Sequence, residues 1–237
     1  MIQYTNITNY YDLLMTQGYY DYQAMAEAVY SLMSDRQKVI DLGVGSGLLA
    51  EKIQKLAPES QFTGVDITSS MLEIARKRLG SWGKLIEADV IDMNLKETFD
   101  IAVSSGGVWV INQREGRADM GTHDSNIEQD LKGLTNVAKH LRSDGLLLLG
   151  IQGDQKNSEQ TLPSGIVYVQ EIEKLEENDE VEVIEKSYFF KEQGKVVAQQ
   201  KLKLKFIKEW KKEELLDRAG FQFLEIHPSQ KFAIYKT

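Results

Sequence analysis

The sequence predicts an α/β fold built on an open, mainly parallel sheet. Three observations lead there. Between residues 37 and 151 short apolar runs alternate with segments of helical period, the pattern of parallel strands joined by crossover helices. One strand-to-helix junction in that stretch, Val39 to Ile53, carries three glycines in five positions, Gly43, Gly45 and Gly47. Beyond Gly165 the helical period gives way to alternation of apolar with charged residues, as in antiparallel strands with one wet face. At 237 residues the chain is long enough for one substantial core and reads as a single domain over 1–237.

Residues 1–35, rich in Tyr and Met, read as a helical cap over the start of a core spanning 36–151. The strands of that core are Lys38 to Leu42, Gln61 to Val65, Lys84 to Glu87, Phe99 to Ser104 and Leu146 to Ile151. Leu49, Ile53 and Leu56 share a helical face after the first strand. After the second, Ser70 with Glu73 reads as a capping box, with Leu72, Ala75 and Leu79 behind it. Ile127, Leu131, Leu134, Ala138 and Leu141 form a stripe that leaves His140 on the solvent side. An antiparallel insertion over 165–208 follows, with three strands, the last two joined as a hairpin across "KEQGK". Residues 209–237 then give a helix stopped at Gly220 and a final strand pair.

A formal charge of -8 argues against a nucleic-acid partner, whose binders concentrate Lys and Arg. In the one basic cluster, Lys201, Lys203 and Lys205 alternate with Leu202, Leu204 and Phe206, which reads as a strand with a solvated outer face. The absence of cysteine excludes disulfides and thiolate metal sites, and three scattered histidines make no zinc site. No apolar run approaches the roughly 20 residues of a membrane span. The expectation is a protein of the cytoplasm with no membrane partner and no metal; oligomeric state is left open, a homo-oligomer included.

Glycines at the end of a strand let the backbone come close to a bound nucleoside where side chains would collide. Asp66, 25 positions after Asp41, ends the second strand, where a carboxylate can accept the hydroxyls of a ribose. Asp89 follows the third strand, placed to reach an adenine edge. The frame Gly45-x-Gly47-x-x-Ala50 also fits a nicotinamide dinucleotide site, though such a site calls for neither Asp41 nor Asp89.

The series "VIDLGVGSG", "FTGVDIT", "LIEADVIDM", "FDIAVSS" and "LKGLTNVAKHLRSDGLLLL" resembles the class I S-adenosylmethionine-dependent methyltransferases over residues 38 to 151. The resemblance implies a Rossmann-like seven-stranded sheet ending in an antiparallel hairpin, with S-adenosyl-L-methionine as cofactor. The cap and the added strands are similar to those of small-molecule members, including glycine and amino-sugar N-methyltransferases. It implies that Asp41 orients the glycine turn and the methionine amino group, that Gly43, Gly45 and Gly47 line the donor, and that Asp66 holds its ribose. Asp89 would meet the adenine amino group, with Val90, Ile67 and Met71 on the ring, although Ile67 and Met71 read equally well as core. Ser104 and Ser105 would flank the methionine moiety, and Tyr11 and Tyr22 of the cap would reach the donor.

On the acceptor side, Tyr20, Trp109 and Asn112 are candidates. His123 is the candidate general base, with Asp124 as its partner, in a segment after strand four longer than a connection needs. The implied function is methyl transfer to the nitrogen or oxygen of a small-molecule acceptor by in-line displacement. The alternatives are a catalytically silent donor-binding or partner-binding member of the fold and a nicotinamide-dependent oxidoreductase.

Overall fold

In the computed structural model, which describes residues 7–34, 37–114, 116–123 and 126–237, the aromatic N-terminal segment forms α1 (Thr8–Leu14), a π-helix (Met15–Tyr19) and α2 (Tyr22–Ser31). Asp21 starts α2 by accepting the Ala24 amide at 3.0 Å. Met25, Ala26, Ala28 and Val29 of α2 face the core.

The apolar runs become β1 (Lys38–Leu42), β2 (Gln61–Asp66), β3 (Lys84–Glu87) and β4 (Phe99–Ser104), all parallel in the order β3-β2-β1-β4. They are apolar on both sides because helices cover both faces. On one face α2, α3 (Leu48–Leu56) and α4 (Ser69–Leu79) bury Val39, Ile101 and Val103 with Leu49, Ile53 and Leu72. The opposite face carries Ile40, Leu42 and Ala102 and packs on later helices. Helix α4 begins at Ser69 with Thr68 before it, earlier than the Ser70–Glu73 box suggests; the Thr68 amide is held at 2.7 Å by Asp66, which fixes the start of the helix.

The segment after β4 is not the long loop the sequence suggests. It folds back as a hairpin, β5 (Trp109–Arg114) and β6 (Arg117–Thr122). Helix α5 (Ile127–His140) follows, capped by the Asn126 side chain, and His140 is partly covered, its Nε2 accepting the Leu95 amide at 3.2 Å. Strand β7 (Leu141–Gln152) starts five residues before the predicted Leu146, because Leu141 pairs with Phe99 ahead of an irregular excursion that rejoins the ladder at Leu146.

The antiparallel part has four strands, not three: β8 (Ser158–Thr161), β9 (Val167–Glu177), β10 (Val181–Glu192) and β11 (Lys195–Ile207). Gln193 and Gly194, both at positive φ, turn β10 into β11, as the "KEQGK" signal predicts. Helix α6 (Glu209–Arg218), β12 (Gln222–Ile226) and β13 (Phe232–Lys236) complete the order, β13 lying antiparallel to β7. Among the described residues thirteen strands join in one sheet, with β11 paired to β6 linking the insertion to the core. One side of the insertion packs Tyr168, Tyr188, Phe190 and Leu202 onto Ile7, Leu14 and Met15 of the cap. No helix among the described residues is long and apolar enough to cross a membrane.

Candidate active site

The glycine turn is shaped by a second backbone. A Cβ on Gly43 would lie 2.5 Å from the Gly107 Cα, and one on Gly107 would lie 2.4 Å from the Gly43 carbonyl oxygen. Both positions therefore require glycine. Gly45 has a φ of +56° with open space beside it, so nothing stands between its backbone and the cavity it lines. Gly47 caps α3 at φ +81° and would meet Ala75 of α4, so it serves helix packing and does not line the cavity as the sequence suggests.

Asp66 is tied into the turn. Its Oδ2 accepts the Gly45 amide at 2.8 Å and its Oδ1 the Thr68 amide at 2.7 Å, while burial raises its pKa against those bonds. Asp89 accepts the Ile91 amide at 2.9 Å, and Asn136 of α5 pins the following turn through the Val90 and Met93 carbonyls. Asp41 is 1% exposed and its Oδ1 has no hydrogen-bond partner; burial first, and then the charge of Asp66, push it up to about 7.

In front of the turn lies a cavity of about 890 Å³. Gly43, Gly45, Asp66, Ile67, Met71, Asp89 and Val90 line one side, Tyr11, Trp109 and His123 stand further along, and the insertion closes it with Val183, Leu202 and Leu204. Thr122 and Trp109 both donate to Asp130, at 2.7 and 3.0 Å, and Asp130 also pairs with Lys205 at 2.7 Å. Lys205 is thus buried at the cavity wall, which corrects the reading of its strand face as solvated; Lys201 and Lys203 remain exposed.

A pocket of about 50 Å³ adjoins this cavity, sharing Tyr11, Gly106, Val108, Thr122, His123 and Leu204 with it. Tyr20 lines it and accepts a hydrogen bond from Gln152. Burial pushes the His123 imidazole down to about 4. Asp124 lies outside the described residues.

A family model described as "Methyltransferase domain" matches residues 39–121, the stretch that contains the turn, Asp66 and Asp89. These residues match a methyltransferase domain, on a fold like that of the class I S-adenosylmethionine-dependent methyltransferases. A malonyl-[acyl-carrier protein] O-methyltransferase of Bacillus cereus is 28% identical over 138 residues, 55% of this chain and 45% of that protein. The chain spans about half the length, or less, of the curated relatives it matches. Two solved structures share the fold across almost the whole chain. Streptomyces venezuelae DesVI has a TM-score of 0.69 at 20% identity, covering 97% of each chain. The sugar N-methyltransferase KedS8 of a Streptoalloteichus species has a TM-score of 0.71 at 18% identity, covering 95% of this chain and 91% of that one.

The residues of this methyltransferase domain fit the cofactor. A buried carboxyl oxygen of Asp41 lacks a donor, side chains are excluded where the Gly43 and Gly107 backbones meet, and Ile67, Met71 and Val90 give an apolar floor. Other candidates stand apart from the cavity. Ser104 is wholly buried and bonds the Trp109 backbone through its Oγ at 2.8 and 3.0 Å, so it closes the β4–β5 turn. Ser105, Tyr22 and Asp41 line neither pocket, but Tyr22 packs on Tyr20 and stands within electrostatic reach of Tyr11 and Asp41, its hydroxyl raised first by burial and then by those groups. Asn112 is buried in β5, lines neither pocket, donates to the Gly153 carbonyl at 2.7 Å and keeps its Oδ1 without a hydrogen-bond partner. Sequence reasoning missed Gly106 and Gly107, signalled by the double glycine after strand four. It also missed Asp130, on the buried side of α5, and Lys186, at a buried register position of β10.

Proposed function

We propose that this chain transfers a methyl group from S-adenosylmethionine to a nitrogen of a small polar acceptor. The observation that carries this reading is the wall the two cavities share: Tyr11, Gly106 and His123 border both the donor side, at the glycine turn, and a small pocket lined by Tyr20, Gln152 and Gln155. Asp66 would accept the ribose hydroxyls with lone pairs left over from its two amide bonds, Asp89 the adenine amino group, and Asp41 the methionine ammonium through its unpartnered Oδ1. Tyr11, at the junction of both cavities, would stand between donor and acceptor, with Trp109 and Tyr20 on the acceptor side.

When bound, the sulfonium supplies an electrophilic methyl group. The chain contributes alignment and exclusion of water, which together lower such a barrier by several kcal/mol. At about 50 Å³ the small pocket takes no more than the amine end of an acceptor, whose remainder would lie in the larger cavity; the names of two structural neighbours, a sugar N-methyltransferase and an amino pentose methyltransferase, support the choice of nitrogen. A small molecule also suits the formal charge of -8 better than nucleic acid does.

Calorimetric titration with S-adenosylhomocysteine, with NADH in parallel and Asp66→Ala as control, tests the donor site. Amines, alcohols and carboxylates, screened by mass spectrometry for a 14-Da gain, then test the acceptor class. Methylation confined to carboxylates would replace this reading by one closer to the malonyl-carrier relatives. Binding without turnover would favour a silent member of the fold.

A further inference from the structure

We propose that Lys186 is the base that removes the proton from an ammonium acceptor, an inference that rests on the nitrogen acceptor proposed above. Lys186 is in the middle of β10, on the inward register between Ile184 and Tyr188, and is 2% exposed. Its cross-strand partners are apolar, Ile172 on β9 and Leu202 on β11. The Nζ lines the small pocket, donating to the Gln155 Oε1 at 2.7 Å and to the Tyr19 hydroxyl at 2.9 Å. It also stands 4.8 Å from the centre of the Tyr188 ring and 5.4 Å from that of Tyr19. All these neighbours are neutral.

A neutral amine has two N–H bonds and one lone pair. Gln155 and Tyr19 take the two N–H bonds, which leaves the lone pair for a proton from the pocket. A lysine buried for structure is given a carboxylate, as Lys205 is given Asp130 at 2.7 Å. For Lys186 no acid among the described residues contributes, and burial pulls its pKa down to about 7.

Among the described residues the titratable groups around it are Tyr11 from α1, Tyr19 from the π-helix, Tyr20 just after it, Tyr168 from β9, Tyr188 from β10 itself and His123 after β6. Burial pushes Tyr19 up to about 12 and Tyr168 further still. His123, held at about 4, binds protons too weakly to draw one from an ammonium group. Lys186 is the group matched to proton exchange near neutrality. In the step, an N–H bond of the acceptor breaks, its proton joins the Nζ lone pair, and the bonding electrons stay on the acceptor nitrogen as its nucleophilic pair. The lysine ammonium returns the proton to water after product leaves.

The test uses the full chain with lysines labelled at Cε, comparing wild type, Lys186→Met and Lys186→Arg. One Cε resonance should titrate near pH 7, unlike the others, and be absent from both variants. S-adenosylhomocysteine affinity should stay within about twofold, since the lysine lies on the acceptor side. With an amine found in the screen, both variants should lose about 100-fold in kcat/KM near pH 7 and regain rate about tenfold per pH unit as the amine deprotonates in solution. A Lys186 resonance titrating near 10, or pH profiles parallel to the wild type with amine methylation intact, overturns this inference alone. Failure of the wild type to bind the thioether, or methylation confined to alcohols or carboxylates, overturns the parent reading and this one with it. Were the variants to misfold, the wild-type titration still decides.

Discussion

Replacing Asp41 by asparagine removes an ionisable carboxyl that the fold keeps at 1% exposure with one oxygen unpartnered. Burial, then the charge of Asp66, raise the carboxyl from 3.8 to about 7. Between those values the folded chain holds a proton that the unfolded chain has released. This contribution to stability is therefore complete below about pH 4 and lost as pH rises through about 7. At about 1.36 kcal/mol per unit the gap of about 3 units sets a ceiling of about 4 kcal/mol. Local relaxation makes about 2 kcal/mol the expected value, or about 4–8 °C in a chain of this size. Thermal denaturation of the ligand-free protein from about pH 5 to 8 is the assay. The wild type should lose that many degrees more than the D41N chain, because other titrating groups cancel in the difference. Saturating S-adenosylhomocysteine at about pH 8 should raise the wild-type Tm more than the variant's, its ammonium meeting the carboxylate. Parallel curves for the two chains without ligand would refute the argument that Asp41 is held protonated by the fold.

Gly107→Ala puts a Cβ 2.4 Å from the Gly43 carbonyl oxygen, which is backbone and cannot swing away; it should cost about 2 kcal/mol or more in denaturant unfolding and weaken thioether binding at least about tenfold. Gly45→Ala has open space and only its φ of +56° to pay for, so about 1 kcal/mol is expected in the same assay. Lys205→Met strands Asp130 in the wall with only Trp109 and Thr122 as donors, an expected loss of about 3 kcal/mol in denaturant unfolding that the added Asp130→Leu should largely recover. Arg78 bonds the Ser46 carbonyl at 2.9 Å and pairs with Asp12 of α1; Arg78→Ala should speed hydrogen exchange across 8–14 about tenfold while changing global stability by about 1 kcal/mol or less.

The sequence alone determined the parallel core, the glycine turn, the acids at strand ends and the C-terminal hairpin. Those features are local: apolar period, turn residues and spacing are each written within a few positions of one another. Asp66 and Asp89 were legible because each comes at the end of its own strand. The hairpin after β4 was not, since Trp109–Thr122 pairs in that way only by finding β7 and β11 as neighbours. Likewise the charged face of Lys201, Lys203 and Lys205 looks solvated from its alternation, and α5 brings Asp130 to the last of them from 75 positions away. Ser104 and Asn112 carried the right chemistry in the right region, but their partners, the Trp109 backbone and the Gly153 carbonyl, turn them inward. Lys186 shows the limit most clearly. Its inward register could be read from the alternation of β10, but its neutral neighbours come from the π-helix and the Gln155 segment, 167 and 31 positions away. Proton affinity depends on what surrounds a group in space, and only the tertiary structure assembles that surrounding.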